Sequence, residues 1–211
     1  MDKGLSLQDV TITKGGAPLL TVSHDIASGE VLTIMGPSGV GKSTLLAFVT
    51  GTLAADFTAT GRVLLDGHDI MNAPPHKRRV GILFQDDLLF PHLSVGANLA
   101  FGLLAGGTAA ARQEKVAEAL REVGLEGFAD RDPATLSGGQ KARIALMRML
   151  LSEPCALLLD EPFSRLDATL RAQVREMVFD RAKARGLPVL MVTHDADDAQ
   201  AAGGVIITLD A

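Results

Sequence analysis

Gly36-Pro37-Ser38-Gly39-Val40-Gly41-Lys42-Ser43 is the stretch whose reading decides the fold. It fits G-x-x-x-x-G-K-[ST], a phosphate-binding loop. It lies where such a loop belongs, between a short apolar run, Val31-Leu32-Thr33-Ile34-Met35, and a helical stretch from Ser43 to Thr50. The run reads as a strand buried on both faces. The glycines let successive backbone N–H groups turn inward as an anion nest, and the helix N-terminus adds partial positive charge. Lys42 reaches β- and γ-phosphates, and the Ser43 hydroxyl can ligate Mg²⁺. A second piece is Ala156-Leu157-Leu158-Leu159-Asp160-Glu161, an apolar strand that carries a carboxylate to the same sheet edge. Asp160 is a candidate Mg²⁺ ligand, directly or through water. Glu161, one residue on, points elsewhere and can polarise an attacking water.

Outward from these two pieces, the apolar period alternates between strand and helix. Leu5, Leu7, Val10 and Ile12 are spaced as in a half-exposed strand, and Leu20 to Ala27 forms another such run. Residues 61–66 and 79–84 read as strands, and 94–123 as helical. Gly138 to Ser152 is a helix closed by Pro154, and Ala168 to Arg185 is a long charged one ending at Gly186. Val189 to Val192 and Val205 to Leu209 are the last strands. Strands alternating with helices predict an α/β fold with a parallel sheet. The expectation is a single domain over 1–211: a phosphate-loop core, an antiparallel β edge at the N-terminus, and an inserted helical subdomain at about 87–152.

Composition excludes several other classes. The chain has 211 residues, 47% of them hydrophobic and 21% charged, which suits a globular domain rather than disorder. Twenty Lys and Arg against 25 Asp and Glu leave a net charge of -5, the wrong sign for a protein that binds nucleic acid by neutralising phosphates. One cysteine allows neither an intrachain disulfide nor a Cys-based zinc cage, and fits a reducing cytosol. No segment approaches a membrane span, and the first residues lack a secretory h-region. The expected place is therefore the cytoplasm, with any membrane role exercised by docking on another protein.

Leu136-Ser137-Gly138-Gly139-Gln140 is the third motif. Ser137 is a natural N-cap, and the two glycines leave bare N–H groups. This is either an ordinary capped helix or a second phosphate-binding terminus, serving a nucleotide held by another copy of the chain. The stretch resembles the signature motif of ATP-binding-cassette (ABC) ATPases. The order phosphate loop, Gln85, signature, Asp160-Glu161, His194 is similar to that family over nearly the whole chain. Phe84-Gln85-Asp86 resembles its glutamine loop, Ser164-Arg165-Leu166-Asp167 its partner-contact loop, and Thr193-His194-Asp195 its switch histidine. Leu89 to Val95 continues as in importer ATPases.

The resemblance implies a role for each matching residue. Gly36, Pro37, Ser38, Gly39, Val40, Gly41, Lys42, Ser43 and Thr44 bind the phosphates of ATP. Ser43, Gln85 and Asp160 set the Mg²⁺ shell. Glu161 is the general base, and His194 contacts the γ-phosphate and orients Glu161 or the water. Ser137, Gly139 and Gln140 bind the γ-phosphate in trans, and Asp167 supports the dimer seam. The implied partners are a second copy on ATP binding, integral membrane permease subunits that dock around residues 86–95, and indirectly a solute-binding protein; nucleic acid is not among them. The implied function is ATP hydrolysis driving an importer from the inner face of the membrane. Two alternatives are a soluble ABC-type ATPase unlinked to transport and an assembly factor with little turnover. A C-terminal regulatory domain, frequent in the family's importers, is not expected in a chain ending at Ala211.

The chain departs from the family in two places. The family stacks an aromatic residue on adenine near the N-terminus, whereas residues 11–16 hold none and the chain has no Tyr or Trp. Poor base selectivity follows, with Ile12 as a possible apolar platform. Arg165 stands where a small residue is usual, either solvated or acting at the seam. Lys77-Arg78-Arg79 with His76 reads as a solvated loop face, with contact to anionic lipid as the alternative, and Cys155 as a buried small residue.

Overall fold

The computed structural model describes residues 4–209. They fall into two compact units. One contains the residues up to Ile82, Cys155–Glu161 and those from Phe179 onward; the other contains Leu83–Pro154 and Pro162–Val178.

The first unit holds two sheets. Strands β1 (Gly4–Lys14), β2 (Ala17–Ala27), β4 (Phe57–Leu65) and β5 (His68–Asp69) form an antiparallel sheet in the order β2-β1-β4-β5. The alternation read at Leu5, Leu7, Val10 and Ile12 places all four side chains in the core. Strand β4 begins four residues before the expected start, because Phe57-Thr58-Ala59-Thr60 pairs with the far end of β1. The second sheet has the order β6 (Val80–Leu83), β7 (Ala156–Asp160), β8 (Val189–Thr193), β3 (Val31–Met35), β9 (Val205–Thr208). β7, β8, β3 and β9 run parallel. β8 is buried throughout and β7 along all but its last residue, which explains their unbroken apolar sequences.

Helix α1 (Lys42–Thr50) follows β3, and Leu45, Leu46, Phe48 and Val49 sink into the core. Arg78 corrects the reading of 77–79 as a solvated face. It is buried, and its guanidinium donates to the carbonyls of Phe48, Val49, Met71 and Ala73 at 2.8–2.9 Å. Two of these carbonyls belong to the last turn of α1, where a helix lacks intrahelical donors and a cation is favoured. Cys155 is half-buried rather than buried.

The second unit is helical: α2 (Val95–Gly102), α3 (Ala109–Glu122) and α4 (Gly138–Leu150). The helical stretch expected over 94–123 is broken between Leu103 and Thr108, where Gly106 and Gly107 both have positive φ and Thr108 caps α3. α2 and α4 pack so closely that a Cβ on Gly102 would lie 2.0 Å from the Arg148 carbonyl oxygen. Helix α5 (Ala168–Ala184) runs from this unit into the first, where α6 (Ala196–Ala202) follows β8.

Candidate active site

Three adjacent parallel strands set the site. In the order β7-β8-β3, their C-terminal ends deliver Asp160 and Glu161, then Thr193 and His194, then Met35 and Gly36. Asp160 pairs with Val192 and Met35 with Thr193, so the three ends are level. Ligands bind at such an edge of an open parallel sheet.

The phosphate loop occupies the β3 end. Gly41 caps α1 with φ 98°, a left-handed conformation that a side chain would strain. Lys42, the first residue of the helix, is 5% exposed, and its ammonium donates to the carbonyls of Gly36 (2.7 Å) and Pro37 (2.8 Å). Two of its three donors thus brace the loop. The Ser43 hydroxyl donates to Asp160 Oδ1 at 2.9 Å, joining the two expected Mg²⁺ ligands. Burial pushes the Asp160 carboxyl above the ordinary carboxylate range, and the neighbouring Glu161 pushes it the same way, against the Ser43 hydrogen bond and Lys42. A pair of hard oxygens in which the carboxylate is short of positive charge fits a divalent cation completed by phosphate and water oxygens. Among the described residues no group of three or more His, Cys, Asp or Glu forms a metal cage.

Glu161 has φ 46°, which is uncommon for a residue with a side chain. Its Oε1 lies 3.1 Å from His194 Nδ1. His194 is held by the turn after it: the Asp195 amide donates to Thr193 Oγ1 at 3.0 Å, and the Asp195 carboxylate caps α6 by accepting from the amides of Asp197 and Asp198. The sequence reading names Asp195 only beside His194; the signal of its capping role is an Asp followed by a short alanine-rich helix.

A cleft of about 280 Å³ joins Ser38, Gly39, Gly41, Lys42, Ser43, Thr44 and Glu161 to Lys14, Leu19 and Phe57. Ile12 has no part in it. It is fully buried among core residues, which removes it as a base platform. Phe57, which the sequence reading left outside any strand, lines the cleft instead.

The other site residues belong to the second unit. Gln85 is exposed just after β6. Ser137 caps α4 in a reciprocal box: its hydroxyl accepts from the Gln140 amide at 3.3 Å, and the Gln140 side chain accepts from the Ser137 amide at 3.0 Å. Gly139 is needed for a close approach, since a Cβ there would lie 2.2 Å from Leu170 Cδ2. Arg165 pairs with Asp86 in the same chain. Both are largely exposed, and such pairs add little stability. Arg148 donates to the carbonyls of Leu88 (3.0 Å) and Asp87 (3.3 Å) and lies 5.1 Å from the Phe90 ring centroid. Buried Asn98 accepts from the Phe90 amide and donates to the carbonyls of Phe90, Leu93 and Ser94. Together they fix the segment from Asp87 to Ser94.

The family profile described as "ABC transporter" matches residues 19–164. The chain belongs to the ABC transporter family. It is 48% identical over 203 residues to the uncharacterized ABC transporter ATP-binding protein YnjD of Escherichia coli, covering 96% of this chain and 94% of that one. It is 44% identical to the Fe(3+) ions import ATP-binding protein FbpC of Streptomyces coelicolor over 97% of this chain but 59% of the longer relative. With the thiamine import ATP-binding protein ThiQ of Salmonella choleraesuis it shares 46% identity over 82% of this chain and 73% of that one. Among solved structures it is similar to CbiO1 from Clostridium perfringens, part of the ABC transporter complex CbiONQ. The TM-score is 0.86 and the identity 30%, over 99% of this chain and 85% of that one. The α/β fold with its antiparallel and parallel sheets is that of this family, and the family is one of ATPases. Among the described residues no helix is long and apolar enough to cross a membrane.

Proposed function

We infer that the chain is the ATP-hydrolysing subunit of a membrane ABC importer. The observation that carries this reading is the convergence of the phosphate loop, Asp160, Glu161 and His194 at one sheet edge. The backbone N–H groups of 36–44 and the Lys42 ammonium bind the phosphates of ATP. Ser43 and Asp160, joined at the edge of the sheet, would hold Mg²⁺, which would offset charge on the β- and γ-phosphates. Glu161 takes a proton from the attacking water, and His194 holds the Glu161 carboxylate through Nδ1. Ser137, Gly139 and Gln140 act on the γ-phosphate bound by a second copy, so that ATP closes a homodimer and hydrolysis releases it. With the box satisfying the Gln140 amide, the N–H groups at the start of α4 that remain for an anion are those of the two glycines.

Docking on permease subunits is supported by the second unit's surface. Phe84, Leu88, Phe101 and Leu104 are exposed by 42–68% within a segment of about twenty residues, more apolar area than a solvated face needs. The same unit carries a groove of about 540 Å³ lined by Ala97, Ala100, Val116 and Leu120 with Arg112. The importer direction follows from the curated names of the relatives, which include iron, polyamine and thiamine import subunits. Two assays on the purified chain and its native membranes test the reading. The expected results are MgATP hydrolysis that Ser137→Arg abolishes while leaving nucleotide binding intact, and recovery of the protein with the membrane fraction. A chain that hydrolyses ATP but stays wholly soluble in its own cells would favour the ATPase unlinked to transport.

A further inference from the structure

We propose that Phe57 is the platform on which the base of the bound nucleotide stacks, and that Lys14 is its displaceable cover. The proposal rests on the nucleotide reading of the phosphate cleft. The end of that cleft beyond the loop is walled by Lys14, Leu19 and Phe57, and Phe57 is the one aromatic among the lining residues. Glu161 marks the end where water attacks. A nucleotide whose phosphates lie on 38–44 therefore directs its base toward the antiparallel sheet, where Lys14 ends β1 and faces Phe57 at the start of β4.

The pair is built in a way that suits a planar guest. Phe57 is half-buried and rests against the core cluster, so its position is fixed from behind. Lys14 is exposed, lies with its ammonium 5.0 Å from the ring centroid, and shares its charge with Asp56 at 3.8 Å. Contacts of this kind between exposed groups are weak. A base stacked on an aromatic ring is held more strongly, and it is indifferent to base identity because every base has a π-face. The guest displaces the lysine, and Gly15-Gly16 at the turn add no side chain in its way. The ring offers no hydrogen bond, so the platform selects for a stacked base and discriminates poorly between purines.

The experiment compares the full chain with Phe57→Ala and Phe57→Trp, measuring binding of MgATP and of magnesium tripolyphosphate, which lacks a base. For Phe57→Ala we expect on the order of ten-fold weaker MgATP binding and unchanged tripolyphosphate binding. Phe57→Trp introduces the only indole in a chain without Trp or Tyr. It should bind MgATP at least as tightly as the native chain, and its fluorescence should be quenched by MgATP and not by tripolyphosphate. Wild-type MgATP affinity in Phe57→Ala, or equal quenching by the two ligands in Phe57→Trp, overturns the platform while leaving the phosphate site standing. Failure of the native chain to bind either ligand overturns the nucleotide reading itself. If Phe57→Ala does not fold, the indole response decides alone.

Discussion

At one end of the cleft, eight consecutive residues, 36–43, supply the backbone nest, the ammonium and the hydroxyl. At the other, Lys14 and Phe57 meet only because β1 and β4 pair antiparallel. The first end carries formal charge against formal charge in a partly buried setting; the second offers a ring face and weak exposed contacts. The difference teaches why affinity resides at one end and why the base is discriminated only weakly at the other. Binding energy is concentrated where the backbone is organised locally, and the base is recognised by a pairing that can drift without disturbing the chemistry.

The comparison is sharpened first by its strongest member. Lys42→Ala removes both the brace on Gly36 and Pro37 and the charge opposite the phosphates. Hydrolysis should be lost and MgATP and tripolyphosphate binding should both fall by at least about 100-fold. A Lys42→Ala protein that loses MgATP but keeps tripolyphosphate would reverse the roles of the two ends.

Arg78→Ala tests whether the phosphate end depends on its support at the far end of α1. It leaves the carbonyls of Val49, Met71 and Ala73 without the guanidinium donor and that of Phe48 with the Gly51 amide alone. The expected cost is about 3 kcal/mol, a melting temperature lower by about 9 °C. Thermal unfolding followed by far-ultraviolet circular dichroism reads it; an unchanged midpoint would show that water replaces the guanidinium.

The base end should show itself by weak discrimination. GTP should compete with ATP within about ten-fold, about 1.4 kcal/mol. A thousand-fold preference for ATP in a competition assay would mean that polar groups, not a ring face alone, read the base.

The smallest effect is on stability. The Asp160 carboxyl lies above the ordinary range because it is buried and beside Glu161. Its folded form holds the proton longer than the unfolded chain does, so folding stability falls as pH rises through the window above the ordinary Asp value. Asp160→Asn should remove that loss. It should melt higher at neutral pH, with the advantage vanishing below the ordinary Asp range. A lower melting temperature at neutral pH would show that the ionised carboxylate stabilises the apo fold.

How much of this could be read in the sequence follows the same division. The phosphate loop, the strand ending at Asp160 and the helix opened by Ser137 are each contiguous, and each adopts the element its local pattern indicates. The parallel strands β3 and β7 match their apolar runs residue for residue. Phe57 escaped because Phe57-Thr58-Ala59-Thr60 is too polar to stand out, and its meaning depends on a cross-strand partner. Arg78 looked like one charge in a basic run, since nothing local marks a guanidinium that fills a ring of carbonyls. Ile12, an apolar platform only by its place near the turn, is sent inward by the two-residue period of β1. The pairing of Arg165 with Asp86 joins distant segments and has no sequence signature.

The central claim is that Glu161, aimed by a left-handed backbone and by His194, is the base of an ATPase. Glu161→Gln keeps the size and hydrogen-bonding reach of the side chain but cannot accept a proton from water. The direct measurement is phosphate release at saturating MgATP by this variant and the native chain, with bound nucleotide quantified on the same samples. The account predicts turnover at least about 100-fold slower with ATP still bound; turnover at the native rate would contradict it.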